Sequence, residues 1–268
     1  MESQQSAPIK LPVLATVREV YVVWFENWRL WLKLSVIPLI FVIAVSFVAD
    51  GQIAPDADFG LSLFVTLIYL VQIPLATAWH RLILQPDQTD GHRYAFGLNE
   101  RLYFFRVLIL MMFVIGLIIL VGILSSFVAV PLVGLMPNSP VFQTIIMTFV
   151  IGGSVYLVVG YFVCPLLLML PAASVGRKLR NGDAYAIVRD GRNNGRLLIA
   201  YLFVSAPIMF INWAVVEISE KLNSGSGVLA NIVEFAPEVL YTPALVGVIS
   251  IAYRELVQKP ELSGETPA

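Results

Sequence analysis

Apolar runs of about 20 residues, each closed by a cluster of polar or charged residues, set the rhythm of this chain and predict six membrane spans. They fall at about 30–49, 59–79, 107–130, 141–170, 197–216 and 237–253. A helix of that length satisfies its own backbone groups in hydrocarbon, where no water can. Between Arg106 and Arg177 there is no Asp, Glu, Lys, Arg or His. Cations flank both ends of that stretch, so it crosses an even number of times, and Pro137-Asn138-Ser139-Pro140 is the expected turn between spans 3 and 4.

Two shorter patterns precede spans. In the lead of residues 1–29, Leu14, Val17, Tyr21, Trp24, Phe25 and Trp28 recur at three- and four-residue spacing among Arg18, Glu19 and Glu26. This predicts an amphipathic helix lying in the membrane interface. Before span 5, Asp183 is a candidate N-cap for a second such helix, with Ala184, Ile187 and Val188 on one face. A polar tail covers 255–268.

Composition agrees with the pattern: 58% hydrophobic, 13% charged and a mean hydropathy of +0.82, against about half apolar and a quarter charged in soluble domains. The fold class is therefore an all-α integral membrane protein, with little chain left for a soluble domain. The net charge of -1 says nothing as a total, because charge in a membrane protein matters by side. Every Lys and Arg except Lys221 lies in the N-terminal lead and the start of span 1, the 2–3 and 4–5 connections, or from Arg254 onward. Cytoplasmic flanks are enriched in cations, so both termini are expected in the cytoplasm. Trp24, Trp28, Trp31 and Trp79 are expected at that same interface. Cys164 is the only cysteine and sits in an apolar run, which leaves no disulfide or thiolate metal site. The first apolar run starts too late for a cleaved signal peptide.

An internal repeat is one reading of the flanks. Odd spans are entered through Asn27-Trp28-Arg29-Leu30, Asn99-Glu100-Arg101-Leu102 and Asn194-Gly195-Arg196-Leu197, and even spans leave through Ala78 to Arg81, Ser174 to Arg177 and Ala252 to Arg254. Three parallel helical hairpins would give this pattern. So would convergence, since many chains enter a membrane through a polar residue, a cation and Leu.

Candidate chemistry is sparse. Glu234 and Glu238 share a helix face near the expected outer end of span 6, with Asn212 and Glu217 at similar depth on span 5. Intramembrane carboxylates often mark solute or ion routes, whereas Glu238 just after Pro237 also suits the first turn of a helix. His80 and Arg81, with Arg101 and Arg177, are candidate lipid-headgroup contacts, and Arg81 reads equally as a topology anchor. Gly153 and Gly160 would allow close helix packing on span 4. No zinc, nucleophile-elbow or phosphate-loop motif occurs, so no cofactor or metal is expected, and nothing supports nucleic-acid binding.

At Trp79-His80-Arg81, and again at Leu170-Pro171-Ala172-Ala173 before the basic turn with Asp183 and Arg189, the chain resembles uncharacterised proteobacterial multi-span inner-membrane proteins. More distantly it is similar to the membrane domain of glycerophosphodiester phosphodiesterases. The resemblance implies a bacterial inner-membrane protein with no defined mechanism. The catalytic domain of the phosphodiesterases has no room here, so their activity is not implied. The expectation is a non-enzymatic protein, lipid-linked or part of a membrane assembly, with membrane lipids as partners and a protein partner or homo-oligomer left open. The alternatives are a small permease using Asn212, Glu234 and Glu238, and a membrane enzyme using His80.

Overall fold

The computed structural model describes residues 9–47, 57–88, 94–134, 143, 148–190, 192–222 and 227–260. The regular structure among them is helical, in the order α1 (Val13–Glu26), α2 (Trp28–Phe47), α3 (Ala57–Leu84), α4 (Leu98–Gly134), α5 (Gly153–Leu167), α6 (Met169–Ser174), α7 (Asn181–Asp190), α8 (Asn193–Leu222) and α9 (Gly227–Tyr253). π-helical turns at Thr148–Gly152 and Arg254–Gln258 lead into α5 and extend α9. Six of these elements are long and apolar enough to cross a membrane: α2, α3, α4, α5 with α6, α8, and α9. The 137–140 turn, Asp50, Asp56, His92 and the loop at 223–226 lie outside the described residues.

The helices run past their apolar runs. α4 begins nine residues ahead of Val107, because Gly97 and Glu100 cap it and its polar first turns continue the helix. α9 begins ten residues before Pro237, so Pro237 falls inside a helix and Glu238 is not in its first turn.

Burial alternates along the chain. The buried share of each even crossing is half or more, at 67% for Leu67–Leu84 of α3, 50% for Val150–Ser174 and 61% for Ala236–Gln258. The odd crossings α2, α4 and α8 reach 33%, 6% and 22%. The basic ends of α3, α6 and α9 pack against one another, and α4 and α8 present long apolar faces outward. With no water inside a bilayer, outward apolar side chains are the ordinary state of a lipid-facing helix.

Trp79 is 1% exposed and belongs to the main core cluster. A Cβ on Gly247 would stand 3.4 Å from Val20 and 3.8 Å from the Trp79 indole nitrogen, so α1 crosses α9 directly above this ring. The small Gly247 lets three elements close over Trp79, so its ring is packed inside the protein. Of the two glycines on α5, Gly160 faces Leu198 of α8, whereas a Cβ on Gly153 would meet nothing within 4 Å.

Candidate functional site

Polar chemistry collects where the three central helices end. His80, on the last turns of α3, is fully buried, with Nδ1 2.7 Å from Ser250 Oγ and Nε2 3.3 Å from Tyr103 Oη. The Ser250 hydroxyl donates to the Val246 carbonyl at 2.8 Å. Its oxygen therefore accepts from His80 Nδ1–H, and Tyr103 donates to Nε2. One imidazole proton satisfies the whole chain, which ties α3, α4 and α9 together.

Arg81 makes a corner beside it. Its Nη2 lies 2.6 Å from Oε1 of Glu100, which is 3% exposed, and its Nε donates to the Ser174 carbonyl at 2.8 Å. Glu100 Oε1 has no well-aligned hydrogen bond, so the contact with Arg81 is an ion pair. The other oxygen, Oε2, accepts the Gly97 N–H at 2.8 Å, the carboxylate half of a capping box. A Cβ at Gly97 would come within 2.9 Å of that oxygen, so a larger residue there would push the carboxylate aside. Ser174 ends α6, and the chain leaves it through a Schellman turn: Gly176 N–H to Ala173 O, Arg177 N–H to Ala172 O, with Gly176 at φ +73°. A guanidinium on the terminal carbonyl of a helix also complements its dipole. A polar pocket of about 400 Å³, lined by Arg81, Gln85, Gln88, Asn99 and Glu100, opens above this corner.

Proline placement explains a second set of contacts. Pro165 has no N–H, so the carbonyl of Tyr161 loses its helical partner, and Asn194 Nδ2 donates to it at 2.7 Å. Tyr185 Oη donates to Phe162 O at 2.6 Å, and Tyr94 Oη donates to Val71 O, also at 2.6 Å. Each hydroxyl serves the carbonyl three residues before a span proline, Pro165 and Pro74 respectively. Burial pushes the Tyr94 phenol up to about 12 and raises that of Tyr185.

The N-terminal lead is held at the same end. Asn193 reads its backbone from both sides, accepting Leu11 N–H and donating to Ile9 O, each at 2.8 Å, while Arg196 Nη1 donates to Leu11 O at 3.0 Å. Arg254 joins Glu19 of α1 to Glu255, and Gln258 donates to the carbonyl of Leu84 at the end of α3.

Of the four candidate headgroup residues, His80 and Arg81 are thus inside the protein and engaged, because the ends of α3, α4, α6 and α9 close over them. Arg101 and Arg177 are exposed. The other trio is not brought together among the described contacts. Glu238 is exposed and stands against Tyr69; Asn212 is half-buried with its carbonyl oxygen unpaired; Glu234 lies on α9, with its side chain outside the described residues. Glu100, Tyr103 and Ser250 are not among the candidates the sequence offers. The Gly97-x-x-Glu100 spacing carried a local signal for Glu100, and nothing local marks the other two.

Between α5, α7 and α8 lies a cleft of about 640 Å³ bordered by Arg189 and Arg192, and between α4, α5 and α6 lies another of about 400 Å³ with Arg106 at its edge. Tyr185 stands between the two.

Fold and composition together define an all-α, multi-pass membrane protein with a buried polar lock at its basic end. No family model, curated protein or solved structure matches the chain.

Proposed function

We propose that this is a non-enzymatic, lipid-linked protein of the bacterial inner membrane, with both termini cytoplasmic, whose basic end engages anionic headgroups. The carrying observation is the division of labour among cations at that end. Arg81 is consumed by an internal ion pair, while Arg101, Lys178, Arg180, Arg189 and Arg192 are exposed, the last two lining an apolar cleft. Anionic lipids are attracted to such clusters by about 1 kcal/mol per cation. His80, the one histidine among the described residues, is buried and doubly engaged, which argues against a role in chemistry. Three hairpins are supported by the alternating burial and by the tyrosines 94 and 185, each serving the same position before a proline; the arginines of the three entry motifs differ in their contacts, which favours convergence for that part.

Native mass spectrometry of the protein extracted from its own membrane tests this reading. Retention of a defined anionic lipid supports it; bare protein, or a retained water-soluble solute, refutes it.

A second reading, a small permease, draws on the polar seam between α3 and α9. There Thr242 donates to Gln72 Oε1 at 2.7 Å, Tyr69 meets Glu238, and the buried Gln72 Nε2 has no partner. Loss of an ion- or pH-dependent flux in Glu238→Gln would favour it, and unaltered flux would remove it.

A further inference from the structure

The cleft between α4 and the α5–α6 element has a polarity gradient along its length. Arg106, Leu110 and Phe113 line it from α4 and are spaced i, i+4 and i+7, so they share one helix face. The cation stands at the basic end, and the apolar positions run about 10 Å away from it, at 1.5 Å per residue. Leu166, Met169 and Leu170 form the opposite wall; Leu166 and Leu170 are buried, whereas Phe113 and Ile109 on the α4 side are exposed.

Arg106 is fixed but not neutralised. One of its nitrogens donates to the Met169 carbonyl, and no carboxylate pairs with it among the described residues. The carboxylate of Asp183 faces the Arg180 N–H instead. A guanidinium offers five N–H donors in a planar fork, so the others remain to meet an anionic oxygen. The cleft volume of about 400 Å³ falls in the range of about 300–1,000 Å³ typical of small-molecule sites.

We propose that this cleft is a phospholipid site, in which one acyl chain lies along Leu110, Phe113 and Leu166 and the phosphate of an anionic glycerophospholipid sits on Arg106. The proposal rests on the lipid-linked reading and gives it a place and a ligand class. A phosphate ion alone would leave the apolar wall without a partner, and a helix of another protein would leave the guanidinium without an anion.

The test uses the full-length protein in mild detergent, titrated with phosphatidylglycerol or with phosphatidylcholine of the same chains and read by native mass spectrometry. Two variants accompany it: Arg106→Gln, and Ile109→Trp, which fills the mouth of the cleft from a position 68% exposed and so spares the fold. Wild type should prefer phosphatidylglycerol. Arg106→Gln should lower that affinity about fivefold, the value of one interfacial cation, and weaken phosphatidylcholine less, because its choline already offsets the phosphate charge. Ile109→Trp should weaken both lipids, and inorganic phosphate should not compete.

A phosphatidylglycerol preference indifferent to both variants overturns the placement while leaving the lipid-linked reading intact. No retention of either lipid by wild type overturns both. Displacement by inorganic phosphate, or loss of a co-purifying protein in Ile109→Trp with lipid binding unchanged, overturns the phospholipid in favour of those other occupants.

Discussion

Removing Arg81 should damage this protein more than removing Arg81 and the Glu100 charge together. At a separation of about 4 Å and an effective dielectric near 20, two unit charges attract by about 4 kcal/mol, and burying them costs several kcal/mol per ion, so the intact pair contributes little net stability. The single variant Arg81→Met leaves a carboxylate that is 3% exposed without its cation. Stranding one member of a buried pair costs about 3–5 kcal/mol. The Ser174 carbonyl also loses its guanidinium donor, worth about 1 kcal/mol. In Arg81→Met with Glu100→Gln the stranded charge is gone, and the glutamine oxygen still accepts the Gly97 N–H. The double variant should therefore lie only about 1–2 kcal/mol below wild type, with a coupling energy of at least about 2 kcal/mol. Glu100→Gln alone should cost less than Arg81→Met, because Arg81 keeps the Ser174 carbonyl and borders the polar pocket. Equilibrium unfolding in mixed micelles measures all four corners of the cycle. A double variant less stable than Arg81→Met, or coupling below about 0.5 kcal/mol, would refute the reading of this corner as a buried lock.

Three further outcomes follow from the same geometry. His80→Ala should lower stability by about 2–4 kcal/mol, by opening a cavity and stranding Tyr103, and a thermal melt reads it; an unchanged melt would return His80 to the list of candidate reactive groups. Asn193→Ala should release the N-terminal lead, cost about 1–2 kcal/mol, and expose the chain before α1 to limited proteolysis, mapped by peptide mass. Tyr94 has a folded-state pKa raised from 10.0 to about 12, so its hydrogen bond to Val71 contributes fully below pH 10 and its contribution fades as pH rises towards 12. The melting difference between wild type and Tyr94→Phe should accordingly shrink across that window, and a difference constant with pH would contradict the burial argument.

How much of this was legible in the chain depends on whether a feature is local. The six spans were readable because each is one contiguous apolar run, and the alternation of polar flanks fixed their order. Helix ends were less so: the start of α4 depends on the Gly97–Glu100 cap and the start of α9 on residues well ahead of Pro237. The sequence also pointed to His80 and Arg81 as a pair at one helix end, and there they are, turned toward protein partners. Nothing within α3 tells whether a cation at its end faces lipid or protein; that is decided by Glu100 on the next helix and Ser174, 93 residues away. Ser250, 170 residues from His80, is invisible for the same reason.

The converse holds for Arg106. As the last charged residue before the long uncharged stretch, it looks like a boundary marker, and only the fold shows that it borders a cleft with an apolar wall. Neighbouring charges in this protein therefore separate by partner rather than by position. Arg81 meets a carboxylate and locks the helices together, whereas Arg106 donates to a carbonyl and has no carboxylate partner among the described residues. The two arginines should respond oppositely to neutralisation: Arg81 through stability with lipid binding intact, Arg106 through lipid selectivity with stability little changed.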